Sequence, residues 1–150
     1  MKDQIRLRVG GVYVQDGKIL LVRHEKDGRS YWLLPGGGCE FGENMAAALE
    51  RELQEEAGLK TRTGKLLFIC ESIPPDKHRH VVNFTFLGET TQGLARLAEE
   101  DSDRLKEVAW VPREKISGLS FFPNFKDALL KAWDLNFEGP VTSLGNLWED

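Results

Sequence analysis

Hydrophobic and polar positions change period several times along this chain, and each change marks an element. Residues 5–14 alternate into an apolar run, IRLRVGGVYV, which predicts a strand with Gly10-Gly11 as a bulge or a point of close packing. Asp16-Gly17 is a hairpin signal, and KILLVR at 18–23 returns as a second strand. A polar turn around Asp27-Gly28 leads to a short strand at 31–34. Further strands are predicted at 65–72, 81–87 and 106–111, with a polar connection at 60–64 and an irregular stretch at 88–103. Between 45 and 57 the period lengthens. Met45, Leu49 and Leu53 share one side of a predicted helix whose other residues are mostly strong helix formers. Asn44 fits its N-cap and Gly58 its left-handed end. Phe125, Leu129 and Trp133 repeat in the same way, predicting a second helix at 124–133. Pro112 suits the start of a helical turn. Trp32, Phe121 and Phe122 read as core.

The acids of the first helix break the usual separation of faces. Glu52 and Glu56 fall within the stripe of Met45 and Leu49, and Glu55 lies on its edge. Carboxylates gathered on a core-facing strip repel one another and are costly to bury. A divalent cation relieves both problems, and hard cations such as Mg²⁺ combine few protein carboxylates with substrate phosphates. Just before the helix, Pro35-Gly36-Gly37-Gly38 is unsuited to regular helix or central strand, and it lets backbone approach a ligand closely.

These residues resemble the Nudix box of the Nudix (MutT-like) hydrolases, G-x5-E-x7-R-E-U-x-E-E-x-G-U with U aliphatic. Gly37, Glu43, Arg51, Glu52, Leu53, Glu55, Glu56, Gly58 and Leu59 fill every fixed position at the right spacing. The resemblance implies the Nudix fold, an α/β (α+β) arrangement with a mixed β-sheet sandwiched between helices, an α/β/α sandwich. It implies Mg²⁺ or Mn²⁺ held by Glu52, Glu55, Glu56 and the carbonyl of Gly37. Glu43 becomes structural, and Arg51 orients the carboxylates. The catalytic candidates are Glu52, Glu55, Glu56 and Glu100. The last stands for a loop acid, with Glu99, Asp101 and Asp103 as substitutes. Arg23, or its neighbour His24, and Arg79 are candidate substrate contacts. His78 and His80 point the same way on a strand and read as polar residues at its entrance.

Composition narrows the class. The chain has 150 residues, 41% hydrophobic and 29% charged, as expected for one globular domain spanning 1–150. A net charge of −4 argues against a nucleic-acid polymer as partner. Cys39 and Cys70 show no zinc or disulfide spacing, and no apolar run spans a bilayer, so a reduced cytoplasmic protein is expected. The resemblance then implies hydrolysis of a nucleoside diphosphate linked to another moiety. Pro74 and Pro75, together with LAEE at 97–100, look like the ADP-ribose pyrophosphatase type, so ADP-ribose or an NDP-sugar is the first substrate. An (oxidised) nucleoside triphosphate is the alternative. A non-catalytic nucleotide-sensing domain is the reading of another class. The late Leu147-Trp148 either docks on a second copy in a homodimer or folds back on its own domain.

Overall fold

In the computed structural model, which describes residues 3–96 and 104–149, the elements follow a strand-rich order. They are β1 (Ile5–Val12), β2 (Val14–Gln15), β3 (Lys18–Lys26), β4 (Arg29–Leu33), β5 (Gly36–Gly38), α1 (Met45–Ala57), β6 (Lys60–Ser72), β7 (His80–Gln92) and β8 (Leu105–Pro112). A 3₁₀ helix at Arg113–Gly118, α2 (Lys126–Asp134) and β9 (Thr142–Asn146) complete the chain.

The strands form two sheets. One is mixed, in the order β5-β1-β7-β6-β9; β1 runs parallel to β7, and β6 parallel to β9. In the other, β3 is flanked by antiparallel β2, β4 and β8. The single strand predicted at 5–14 is therefore divided at Tyr13, and its two parts pair in different sheets. Tyr13 is 1% exposed, and its ring lies where a Cβ on Gly11 or Gly88 would stand. Of the two roles open to the glycine pair, Gly11 serves close packing. The two β3 hairpins turn as Asp-Gly composition requires, with positive φ at Asp16 (53°), Gly17 (74°), Asp27 (52°) and Gly28 (76°).

Alternation along β3 separates two cores. Ile19 and Leu21 join Phe68, Phe121, Phe125 and Leu129 on the α2 side. Leu20, between them, joins Val9, Leu49 and Leu53 on the α1 side. Fully buried leucines such as Leu20 and Leu49 contribute about 2 kcal/mol each. Each helix thus covers its own side of the strands, giving the expected mixed α/β layering.

Two expectations are corrected. The irregular stretch does not begin at Gly88, because β7 runs on to Gln92. Residues 60–64 are not a connection but the start of β6, paired with β7 from Lys60↔Gln92 onward. Thr61 and Thr63 alternate with charged residues there, which suits a half-buried strand. Arg62 pairs across to Glu89 at 2.7 Å, and Thr63 N–H donates to Glu50 at 3.0 Å. The tail, left open between two alternatives, folds onto its own domain. β9 adds to the β6 edge, Leu144 and Leu147 pack on the α2-side core, and Trp148 meets Phe122 edge-on at 6.3 Å. Of the two alternatives for Leu147-Trp148, the structure shows the fold-back. Among the described residues, no helix is long and apolar enough to cross a membrane.

Candidate active site

Helix α1 is capped as its sequence dictates. Asn44 Oδ1 accepts from Ala47 N–H at 2.8 Å, and Gly58, at φ 66°, donates to Gln54 O at 3.1 Å. Its acidic side faces β5, a short edge strand on β1 with Gly37 opposite Val9 and Gly38 opposite Arg8. Glycine is required here. A Cβ on Gly36 would strike the Val9 backbone, and one on Gly37 would overlap the Glu52 carboxylate. The carboxylates therefore reach the glycine backbone with no side chain between.

Glu52 has 16% of its side chain exposed, and burial raises its pKa, opposed chiefly by Arg51. Glu56 is pushed up to about 7, mainly by burial, with Arg8 and the Gly36 N–H drawing it back. That N–H donates to Glu56 Oε1 at 2.8 Å. Glu55 is turned outward, 54% exposed, with Arg51 at 3.3 Å. Arg51 ties the group together. It donates to Glu43 at 2.8 and 2.9 Å, to Glu52 at 3.0 Å and to the Gly38 carbonyl at 3.2 Å. Its guanidinium holds the Glu43 carboxyl at about 2.

Beside this strip opens a cleft of about 180 Å³. Arg6, Arg8, Lys26, Arg79, Arg104 and His24 supply its basic lining, and Tyr31 and Phe122 stand with them. Among the described residues, no Asp or Glu lines it. Arg8 forms its inner end, next to the glutamates: its half-buried guanidinium donates to the Leu34 carbonyl at 3.5 Å and lies near enough to Glu56 and Glu52 to feel both charges. Lys26, Tyr31, Arg79 and Phe122 also line a second cavity of about 550 Å³, which Trp148 helps to close.

A profile of the NUDIX domain matches residues 4–133. The chain belongs to the Nudix hydrolase family. It is 33% identical over 120 residues to the human 8-oxo-dGDP phosphatase NUDT18, a match covering 75% of this chain and 36% of that protein. It is 31% identical over 114 residues to an ADP-ribose pyrophosphatase of Methanocaldococcus jannaschii, covering 75% of this chain and 65% of the relative. It thus spans about a third of the human relative and about two thirds of the archaeal one. Among solved structures, a MutT Nudix hydrolase from Burkholderia pseudomallei superposes with TM-score 0.66 at 28% identity, covering 74% of this chain and 85% of that one.

Measured against the Nudix box, the structure brings Gly37, Glu43, Arg51, Glu52 and Glu56 together, with Glu55 at the rim. Arg79 reaches the cleft. Arg23 does not line it. Its guanidinium is held by Glu107 at 2.9 Å and Glu25 at 2.7 Å, while His24, on the opposite face of β3, lines the cleft. Phe121 is core as expected, but Phe122 faces the cleft. His78 sits on Asp76 and His80 on Glu71, at 2.6 and 3.1 Å. Glu99, Glu100, Asp101 and Asp103 lie outside the described residues. Sequence reasoning missed Arg6, Arg8 and Tyr31. The alternation of IRLRV was a signal, since it sets both arginines on one face.

Among the described residues, no three His, Cys, Asp or Glu side chains form a ready-made metal cage. The donors nevertheless fit Mg²⁺ or Mn²⁺. Two partly buried carboxylates, Glu52 and Glu56, meet the side-chain-free Gly36–Gly37 backbone. Such oxygen-only sets, completed by water and phosphate, suit these ions. Glu55 would join only by leaving Arg51.

Two expectations arise here. Arg51→Lys keeps the charge but loses the planar fork shared by Glu43, Glu52 and Gly38, so turnover and Mn²⁺ affinity should each fall about 10- to 100-fold. Steady-state kinetics and a Mn²⁺ titration check this. The second concerns His24, which is pushed down to about 4, first by burial and then by Arg8 and Arg104. Because its folded pKa lies below the ordinary 6.5, the unfolded chain binds the extra proton, and stability rises with pH. The folded state should lose stability between about 6.5 and 4. Urea midpoints across that window should drop for the wild type and change less in His24→Gln.

Proposed function

We propose that this chain hydrolyses the diphosphate linkage of a nucleoside diphosphate derivative in the presence of Mg²⁺ or Mn²⁺, with ADP-ribose or an NDP-sugar as first substrate. The observation carrying this reading is the placement of Glu52 and Glu56 against the Gly36–Gly37 backbone, with Arg51 fixing Glu52 from behind. Glu52, Glu56 and the Gly37 carbonyl would hold the ion. When bound, it neutralises phosphate oxygens and acidifies water. Gly36 N–H keeps Glu56 Oε1 in place, leaving Oε2 to receive the proton of the attacking water. Arg8 supplies fixed positive charge at the inner end of the cleft, where the diphosphate charge would lie. Glu55 and the acids at 99–103 remain alternative proton acceptors.

The archaeal relative's name supports ADP-ribose, and the human relative's name supports the alternative, an oxidised nucleotide. The residue-level similarity to both lies in a shared hydrolase family, which disfavours the sensor reading. Cys39 and Cys70 are free thiols, in keeping with the proposed cytoplasmic setting. The test is product release from ADP-ribose, NDP-sugars, 8-oxo-dGDP and nucleoside triphosphates, with and without Mg²⁺. Metal-dependent release from a diphosphate ester is expected. Tight ADP-ribose binding with no release from any compound would replace the enzyme by the sensor.

A further inference from the structure

Trp148 helps to close a cavity that the diphosphatase chemistry leaves unassigned. It lies beyond residues 4–133, the span that matches the NUDIX profile. Its position is nevertheless fixed. β9 holds the tail along the β6 edge, and Asn146 clamps it to Ile73 twice. Asn146 Oδ1 accepts from the Ile73 N–H, and its side-chain amide donates to the Ile73 carbonyl, both at 3.0 Å. The same Oδ1 accepts from the Trp148 N–H at 3.2 Å, and Leu147 N–H donates to the Glu71 carbonyl at 2.8 Å. A tail tied down through so many backbone groups is held in place. The Trp148 ring then meets Phe122 edge-on, with centroids 6.3 Å apart at 89°. Tyr31, from β4, meets Phe122 at 6.0 Å and 69°. Phe122 thus has one ring standing steeply against it from the sheet and another from the tail.

These three rings line the outer cavity of about 550 Å³, a volume suited to part of a small organic ligand. The cavity shares Tyr31, Phe122, Lys26 and Arg79 with the cleft beside the glutamates, so one molecule can occupy both. The chemistry of the lining selects the occupant. Three aromatic rings offer π surface, which a phosphate would leave unused. Asp27, Ser30, Ser120 and Glu149 add hydrogen-bonding groups, which a hydrocarbon would leave unpaired. A flat heteroaromatic ring, apolar on its faces and polar at its edge, uses both. In a nucleoside diphosphate derivative that ring is the base.

We propose that the outer cavity receives the nucleobase of the substrate, and that Trp148 is a specificity-determining residue that stacks on it from a segment outside the family profile. This rests on the diphosphatase reading for its orientation, but binding tests it separately. Calorimetry with Mg²⁺ present compares ribose 5-phosphate with adenosine, guanosine, cytidine and uridine 5′-monophosphates. At least one nucleotide should bind about ten-fold or more tightly than ribose 5-phosphate, the usual worth of one base–aromatic stack. Trp148→Ala, checked for folding by circular dichroism, should erase most of that advantage and leave ribose 5-phosphate binding unchanged. Trp148→Phe keeps a ring and should retain most of it. The preferred nucleotide should also quench tryptophan emission in the wild type, and Trp148→Phe should lose most of that quench while still binding. Equal binding of all five compounds, or an advantage that survives Trp148→Ala, overturns the proposal even if a diphosphate is hydrolysed. A loss that falls equally on ribose 5-phosphate also overturns it, because it marks a structural role. A base preference that depends on Trp148, without turnover of any diphosphate, supports the base site and counts against the hydrolase reading.

Discussion

Glu56→Gln should lower turnover by about 10²- to 10⁴-fold, the usual contribution of a positioned acid or base, while the protein stays folded. The amide oxygen of glutamine can still accept the Gly36 N–H that Glu56 Oε1 accepts at 2.8 Å. What disappears is the charge and the proton-accepting atom. The substitution also removes a negative charge from beside Glu52, although Arg8 loses an attractive neighbour. Those effects oppose, so the thermal midpoint should move little. Glu55→Gln is the control. Its side chain is 54% exposed and turned to Arg51, so its loss should be smaller. The comparison is made with kcat at saturating substrate and metal. A larger loss at Glu55 would transfer the proton-accepting role outward to that residue.

Gly37→Ala should abolish most activity, by about 10²-fold, without unfolding the chain. The added Cβ would occupy the space of the Glu52 carboxylate, the far end of a flexible side chain that can swing aside. Displacing a group of the site by about 1 Å is enough for a loss of that size. Gly36→Ala makes the contrast. Its φ is 153°, and its Cβ would meet the Val9 backbone, which cannot yield without breaking the β5–β1 pairing. Melting curves and kcat separate the two. Gly37→Ala should melt near the wild type but turn over slowly, whereas Gly36→Ala should lose stability as well. Wild-type turnover in Gly37→Ala would show that the Glu52 contact has no part in the reaction.

The box helix was readable in the sequence because its information is local. The four-residue spacing of Met45, Leu49 and Leu53, the Asn44 cap and Gly58 fix its ends and its buried face, and the same wheel puts Glu52 and Glu56 on that face. The cleft was not readable to the same degree, because strand pairing assembles it. Arg8 gains its role only when β1 lies between β5 and β7, and no periodicity names those neighbours. Arg23 illustrates the problem at one-residue resolution. Successive strand residues face opposite ways, so His24 enters the cleft while Arg23 meets Glu25 and Glu107 outside. The tail carried little pattern. TSLGN becomes a strand through the open edge of β6 rather than through its own composition.

The most direct measurement is isothermal titration of Mn²⁺ into the wild type and into the double variant Glu52→Gln/Glu56→Gln, each with a non-hydrolysable methylene-diphosphate analogue of ADP-ribose present. The wild type should take up the ion, and the double variant should lose that uptake while remaining folded. Equal uptake by both proteins, or none by either, would contradict a cation site built from these two carboxylates.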